Sequence, residues 1–435
     1  MSKSPVFALV DCDNFFVSCE RVFRPELWNK PVAVLSNNDG CVVARSNEVK
    51  ALGVPMGVPY FKVKGIFKAH NITMFSGNFA LYGDFSQRVV RLLEEAAPTV
   101  EVYSVDESFL ELSTLGITNY TQWAETLRAR IWQWLGIPVS IGVAPTKTLA
   151  KAAAEKAKHT PSLKGAYSLQ ADTTLSSGAA EVRQRELLKE MPVQEVWGIG
   201  RRTAPKLLSR GLRTAYDLSQ VTDAWAQQQL TIRGLHTVKE LRGEPCLPVE
   251  ESKPQKSLAV TRTFAGRVRT WHDMESYVAT FTARAAQKLR QQGQVCGAIM
   301  VFIAGDRHRD GDNYRRVSTC ISLVQPTNDS AGLIAAALKG LEQLFDPDFS
   351  YRRAGIACID LTPEDARQLS WLNSENPQQI DRRTQLMTAV DTLNEKYHTR
   401  LVRQAVERPS TTLRFGTHHS HAFTTDWRSL PTAKA

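Results

Sequence analysis

The segment at 104–109 sets Asp106 and Glu107 side by side at the junction of two apolar stretches. Adjacent residues of a regular strand point to opposite faces, so both carboxylates can serve one site only where the backbone turns. The flanks predict that turn. Val100, Val102 and Tyr103 precede the pair, and Phe109, Leu110 and Leu112 follow it, as in an antiparallel hairpin. A third carboxylate, Asp11, ends the apolar run at 6–10, just ahead of Cys12, Asp13, Asn14 and two phenylalanines. Three carboxylates at strand ends can hold two hard divalent ions about 3.5–4 Å apart, the spacing of in-line phosphoryl transfer. Either acidic motif alone is ordinary turn chemistry. The rest of the chain decides between the readings.

With 435 residues the chain has room for about three domains, and its 43% apolar content supports packed cores. A net charge of +10 favours a polyanionic partner. The seven cysteines include no C-x-x-C pair, which argues against a disulfide framework or a zinc site and for a reducing cytoplasm. No run approaches the roughly 18 apolar residues of a membrane span, so a soluble, unexported protein with no membrane partner is expected.

Residues 32–35 and 41–44 read as strands joined by a turn at 37–40. Ser46 is a candidate N-cap for a short helix over 47–52, which places Asn47 and Lys50 on one face. Frequent Gly and Pro make 36–75 a small insertion. A strand at 139–144 leads into a lysine-rich helix. Thr146, Lys147 and Thr148 imitate a P-loop, but the required glycines are absent. Lys147, Lys151 and Lys158 recur at near-helical intervals, on one stripe able to meet phosphates.

Gly198 and Gly200, followed by Arg201 and Arg202, carry the pattern of a helix-hairpin-helix whose turn approaches a DNA phosphate closely. After a proline-bearing linker, strand and helix patterns alternate as βαββαβ over 257–361. Arg307, Arg309, Arg315 and Arg316 cluster at its central hairpin, and Arg352 and Arg353 lead into its last strand, a surface suited to a duplex backbone. The last seventy or so residues are arginine-rich and poor in apolar runs, so a partly ordered accessory segment is expected.

Together the stretches at 6–20, 35–57, 103–109, 144–151, 196–202 and 240–246 resemble the Y-family translesion DNA polymerases, most closely the UmuC group. Residues 386–397 and 423–431 are similar to the C-terminal extension of that group. The resemblance implies an α+β multidomain fold, a right hand with a small fingers domain. Its expected parts are palm (1–35 and 77–165), fingers (36–76), helix-hairpin-helix thumb (166–247), linker (248–256), βαββαβ little finger (257–361) and a C-terminal extension (362–435). It implies error-prone synthesis across damaged primer-template DNA as part of SOS mutagenesis. Asp106 and Glu107 would be catalytic. Asp11, Cys12 (through its carbonyl), Asp106 and Glu107 would hold two Mg²⁺ ions, and Asn47, Lys50 and Lys158 would contact the dNTP. Phe16 would be the steric gate beneath the sugar. A UmuD′-like accessory subunit, a sliding clamp and a RecA-type recombinase filament are the implied partners. Gln368, Leu369 and Leu372 have the look of a clamp-binding peptide. The alternatives are a metal-dependent DNA repair nuclease or lyase, which needs neither Phe16 nor the triphosphate lysines, and a non-catalytic DNA-bound scaffold, which needs no carboxylates.

Overall fold

The apolar run near the N-terminus folds as β1 (Phe7–Cys12), and its alternation divides the side chains between two cores. Ala8, Val10 and Cys12 enter one, Phe7 and Leu9 the other. The computed structural model describes residues 5–250, 255–307, 310–366, 377–397, 400–407, 416–424 and 429. They fall into two compact units, 1–253 with 416–435, and 254–415.

In the first unit β1 is followed by α1 (Phe15–Val22), β2 (Val32–Leu35), β3 (Val42–Arg45), α2 (Asn47–Ala51), α3 (Tyr60–Ala69) and β4 (Thr73–Ser76). Then come α4 (Phe79–Ala96), β5 (Thr99–Val102), β6 (Glu107–Glu111), α5 (Tyr120–Leu135), β7 (Val139–Ala144), α6 (Lys147–His159) and β8 (Ala166–Ser168). The helices α7 (Ser177–Glu190), α8 (Ala204–Leu208), α9 (Ala215–Ser219) and α10 (Asp223–Leu241) complete it. The main sheet has the order β5-β6-β1-β7-β8. Side chains of α1, α4 and α5 cover one face; those of α6, α7, α9 and α10 contribute to the core on the other.

Helix α6 lies unusually close to the sheet. A Cβ on Gly142 would sit 2.2 Å from the Ala150 carbonyl oxygen and 2.2 Å from the Ala154 nitrogen. Gly142 is the register partner of Leu9, so this approach presses α6 against the centre of the sheet. Ala150, Ala153 and Ala154 are small enough to allow it.

A second, three-stranded sheet has the order β3-β2-β4. Here the expected boundaries shift. β2 was assigned with residues 1–35 to the palm, but its pairing partners are β3 and β4. It is apolar on both sides: Val32 and Val34 enter the first core, Ala33 and Leu35 that of the small sheet. β8 likewise falls beyond the expected palm limit at 165 yet pairs with β7. Ser46 does precede α2, but it makes no side-chain cap. Its Oγ accepts from the Val32 N–H at 3.1 Å, tying α2 to β2.

The second unit is β9 (Ser257–Val268), α11 (Trp271–Gln291), β10 (Gln294–Ala304), β11 (Arg316–Thr327), α12 (Ser330–Glu342), β12 (Tyr351–Pro363) and α13 (Pro377–Lys396). Its sheet is antiparallel throughout, order β11-β10-β12-β9, and α11 and α12 pack with one face. The segment expected as one C-terminal piece, 362–435, is divided. α13 and residues 400–407 belong to this unit, and 416–435 to the first. Apolar anchors explain both placements: Val406 packs on Ala279, Ala283 and Ile334, and Phe423 stacks on Phe23 with ring centres 4.4 Å apart.

Candidate active site

Antiparallel register sets Asp11 of β1 directly opposite Glu107 of β6. Asp11 shares the face of Leu9, and Glu107 that of Phe109, so both point toward α6. Asp106 precedes β6 in the turn. The Cys12 N–H donates to the Asp106 carbonyl at 2.8 Å, fastening that turn to the end of β1. Ser104 shapes it further: its Oγ accepts from the Asp106 and Glu107 N–H groups at 3.3 and 3.0 Å and donates to Asp106 Oδ1 at 2.5 Å. The backbone turn required by adjacent carboxylates is thus present.

The lysine stripe of α6 lies over these groups. Lys158 Nζ is 2.8 Å from Asp11 Oδ1 and 3.6 Å from Asp13 Oδ1. Lys151 donates to both oxygens of Glu107, at 2.7 and 2.8 Å. Lys147 is buried and pairs with Glu101 at 2.6 Å. Burial pushes the Asp11 carboxyl up to about 6 despite the pull of Lys158; Glu107 and Asp13 add to the rise. Burial draws Lys158 down, but Asp11, Asp13 and Glu155 together outweigh it and its net shift is upward. The site therefore carries crowded, desolvated negative charge neutralised by ammonium groups.

Among the described residues no three His, Cys, Asp or Glu side chains are set to hold one metal. Lys151 and Lys158 have drawn Glu107 and Asp11 into ion pairs. The donor set fits a hard divalent ion: buried carboxylate oxygens on neighbouring strand ends, close enough that Glu107 and Asp13 help to hold the Asp11 carboxyl up.

Asn47 and Lys50 join this region from α2. Asn47 Oδ1 accepts from Asn14 Nδ2 at 3.1 Å, and Asn14 takes a left-handed turn between β1 and α1. Lys50 is lowered by burial first, then by Lys158 and Arg45, which places three cations near one another. Such a group favours a polyanion. Phe15 is buried, whereas Phe16 is only partly so. The Phe16 ring stacks on Tyr82, centres 4.4 Å apart, and meets the edge of Phe79 at 5.7 Å.

At the helix-hairpin-helix turn Gly198, Gly200, Arg201 and Arg202 are all exposed, and Gly198 adopts φ +91°, open to glycine. The arginines of the second unit do not form the single patch expected. Arg315 pairs with Asp346 at 2.7 Å. Arg316 instead joins Arg353 over the Phe302 ring, at 5.2 and 5.8 Å, on the sheet face away from the helices. Arg307 is exposed. Arg309 and the peptide residues Gln368, Leu369 and Leu372 lie outside the described residues.

Several residues of the site were not singled out from sequence. Asp13, Arg45, Tyr103 and Trp197 are the clearest. Trp197 Nε1 donates to the Tyr103 hydroxyl at 3.1 Å and tilts against Phe109, bracing the carboxylate turn from the helix-hairpin-helix side. Fully buried Glu240 accepts from Thr148 N and Oγ1 at 2.9 Å and from the Cys246 and Leu247 N–H groups at 3.0 Å. That bond set links the stretches at 144–151 and 240–246, whose recurrence as motifs was the available signal.

Comparison with known proteins finds relatives that match most of the chain. The impB/mucB/samB family model matches residues 10–155, that family's C-terminal domain matches 255–371, and the HHH motif of the IMS family matches 182–212. Protein UmuC of Salmonella typhimurium is 39% identical over 395 residues, 90% of this chain and 91% of that protein. Protein ImpB of Salmonella typhimurium is 36% identical over 99% of this chain and 100% of its own length. DNA polymerase IV 1 of Bacillus subtilis is 26% identical, covering 92% and 93%. Among solved structures, the Y-family DNA polymerase chimera Dbh-Dpo4(243-245)-Dbh superposes with a TM-score of 0.65 at 23% identity, covering 82% of this chain and 98% of that one.

Proposed function

The chain belongs to the impB/mucB/samB family of UmuC-type Y-family DNA polymerases, and from that premise we propose how its residues divide the work. Its activity is error-prone translesion DNA synthesis, a divalent-metal-dependent, template-directed extension of a primer. In our reading Asp11, Asp106, Glu107 and the Cys12 carbonyl hold two Mg²⁺ ions, and the substrates are dNTPs. The observation that carries it is the placement of Asp11 opposite Glu107, with the Asp106 turn fastened to Cys12. The nuclease, lyase and scaffold readings gain no support from the relatives.

Bound there, such ions would supply activation of the primer 3′ oxygen and charge stabilisation at the leaving pyrophosphate. The chain's own groups prepare that step. Lys158 and Lys50, with Asn47, would orient the triphosphate, and Lys151 balances the charge of Glu107, where an ion would bind. Phe16 fills the space a 2′-hydroxyl needs. Low fidelity follows from the small sheet domain: the longest helix within 36–76 is α3, with 10 residues. No long helix closes over the nascent pair, so induced-fit selection is weak.

Arg316 and Arg353 of the second unit and, separately, Gly198, Gly200, Arg201 and Arg202 of the first would meet DNA phosphates, and Arg307 and Arg309 would add positive charge. Family membership supports a UmuD′-like subunit, the sliding clamp and a RecA-type filament as partners. Gln368, Leu369 and Leu372 are the proposed clamp anchor; undiminished clamp-stimulated synthesis by a Gln368→Ala, Leu372→Ala variant would rule it out. Primer extension by the purified chain tests the whole reading. We expect extension with Mg²⁺ and none with the ion chelated; extension that ignores chelation would refute it.

A further inference from the structure

Residues 416–423 belong to the first unit, and several of their polar groups find partners on neighbouring segments of it. The Gly416 N–H donates to the Asn37 carbonyl and the Thr417 N–H to Asp39 Oδ2, at 2.9 and 2.8 Å. Ser76 and His418 exchange two bonds: the Ser76 N–H donates to the His418 carbonyl, and the His418 N–H to Ser76 Oγ, both at 2.9 Å. A Cβ on Gly416 would lie 2.2 Å from Ser76 Oγ, so the approach leaves no slack. Phe423 closes the segment in the core, stacked on Phe23.

Between these anchors the segment touches the two helices that carry the proposed gate. Ser420 Oγ donates to Glu20 Oε1 at 3.0 Å, and Tyr82 donates to the same oxygen at 2.7 Å. Glu20 is fully buried, one helical turn after Phe16 on α1. Among the described residues its second oxygen has no hydrogen-bond partner, so the Tyr82 and Ser420 hydroxyls are what satisfy this carboxyl. Asn78, the N-cap of α4, donates to Ser420 Oγ at 3.0 Å and to the His421 carbonyl at 3.2 Å. That helix carries Phe79 and Tyr82, the rings packed on Phe16.

We propose that residues 416–423 form a positioning strap for sugar selection: Ser420, through Glu20 and Tyr82, fixes the Phe16 ring against the nucleotide's 2′ position. The proposal rests on Phe16 being the gate. Exclusion by overlap depends on a ring held within a fraction of an ångström. Burial and stacking on Phe16 leave the Tyr82 ring only a small freedom to shift in its plane. A hydroxyl anchored to a buried carboxylate, itself anchored from the other side, removes that freedom. Ser420 touches no substrate, so its effect should appear in selectivity and not in deoxynucleotide turnover.

The test is single-nucleotide incorporation by the full-length chain, comparing kcat/KM for a ribonucleotide with that for its deoxynucleotide. Ser420→Ala should raise the ribonucleotide fraction about fivefold, the net worth of one hydrogen bond, with kcat for the deoxynucleotide unchanged. Tyr82→Phe, which keeps the stacked ring, should match it, and Ser420→Thr should restore wild-type selectivity. Phe16→Ala sets the ceiling, at roughly tenfold or more. If Phe16→Ala raises the fraction while Ser420→Ala and Tyr82→Phe leave it at the wild-type value, the strap is overturned and the gate stands. If a folded, active Phe16→Ala enzyme is as selective as wild type, the gate fails and the strap with it.

Discussion

The two large sheets of this protein use charge in opposite ways. The five-stranded sheet is covered on both faces, and its site charges gather at strand ends, where Asp11 and Glu107 meet lysines of α6 beside Asp106. The four-stranded sheet is covered on one face, and Arg316 and Arg353 spread across the other beside Phe302. At a desolvated strand end each group is strongly coupled to its neighbours, and one substitution changes the chemistry. On an open face each group acts separately, weakly and in proportion to its number.

That contrast can be broken at several points. The largest effect belongs to the strand ends. Asp11→Ala should remove extension, by roughly a thousandfold or more, with circular dichroism unchanged. Close behind, Gly142→Ala forces α6 away from the sheet. It should destabilise by about 1–3 kcal/mol in denaturant unfolding and lower activity as the lysines shift. Lys158→Ala should raise the KM for dNTPs by about tenfold, the scale of one hydrogen bond to a charged group. On the open face the changes are smaller. Arg316→Glu with Arg353→Glu should weaken DNA binding for all sequences alike and reduce the salt slope by about 0.9 for each phosphate that is no longer neutralised. Smallest of all, Arg315→Ala should alter affinity and stability by less than about 0.5 kcal/mol, because its guanidinium is held by Asp346 at the surface. A large effect there, with none at Arg316, would reverse the assignment.

The same contrast explains what could be read from the sequence. The carboxylate turn was legible because period-two apolar segments flank Asp106 and Glu107, and a turn between strands admits few alternatives. The βαββαβ order of the second unit was legible for the same reason. Which arginines gather over Phe302 was not, since Arg315 and Arg316 are neighbours in sequence and part only through the pleat. Nor could periodicity assign β2 to the small sheet, because a strand apolar on both faces fits either neighbour. The tail hid its role most completely. Ser420 and Phe423 sit in a polar segment whose partners, Glu20 and Phe23, lie about four hundred residues earlier.

Counting divalent ions in the loaded enzyme tests the central claim most directly. Mn²⁺ binding, followed by electron paramagnetic resonance, would be measured on the chain with a chain-terminated primer-template and the next dNTP. The strand-end account predicts two ions at saturation in the wild type and loss of at least one in a folded Asp106→Ala variant. Two ions retained with unchanged affinity in that variant would contradict it.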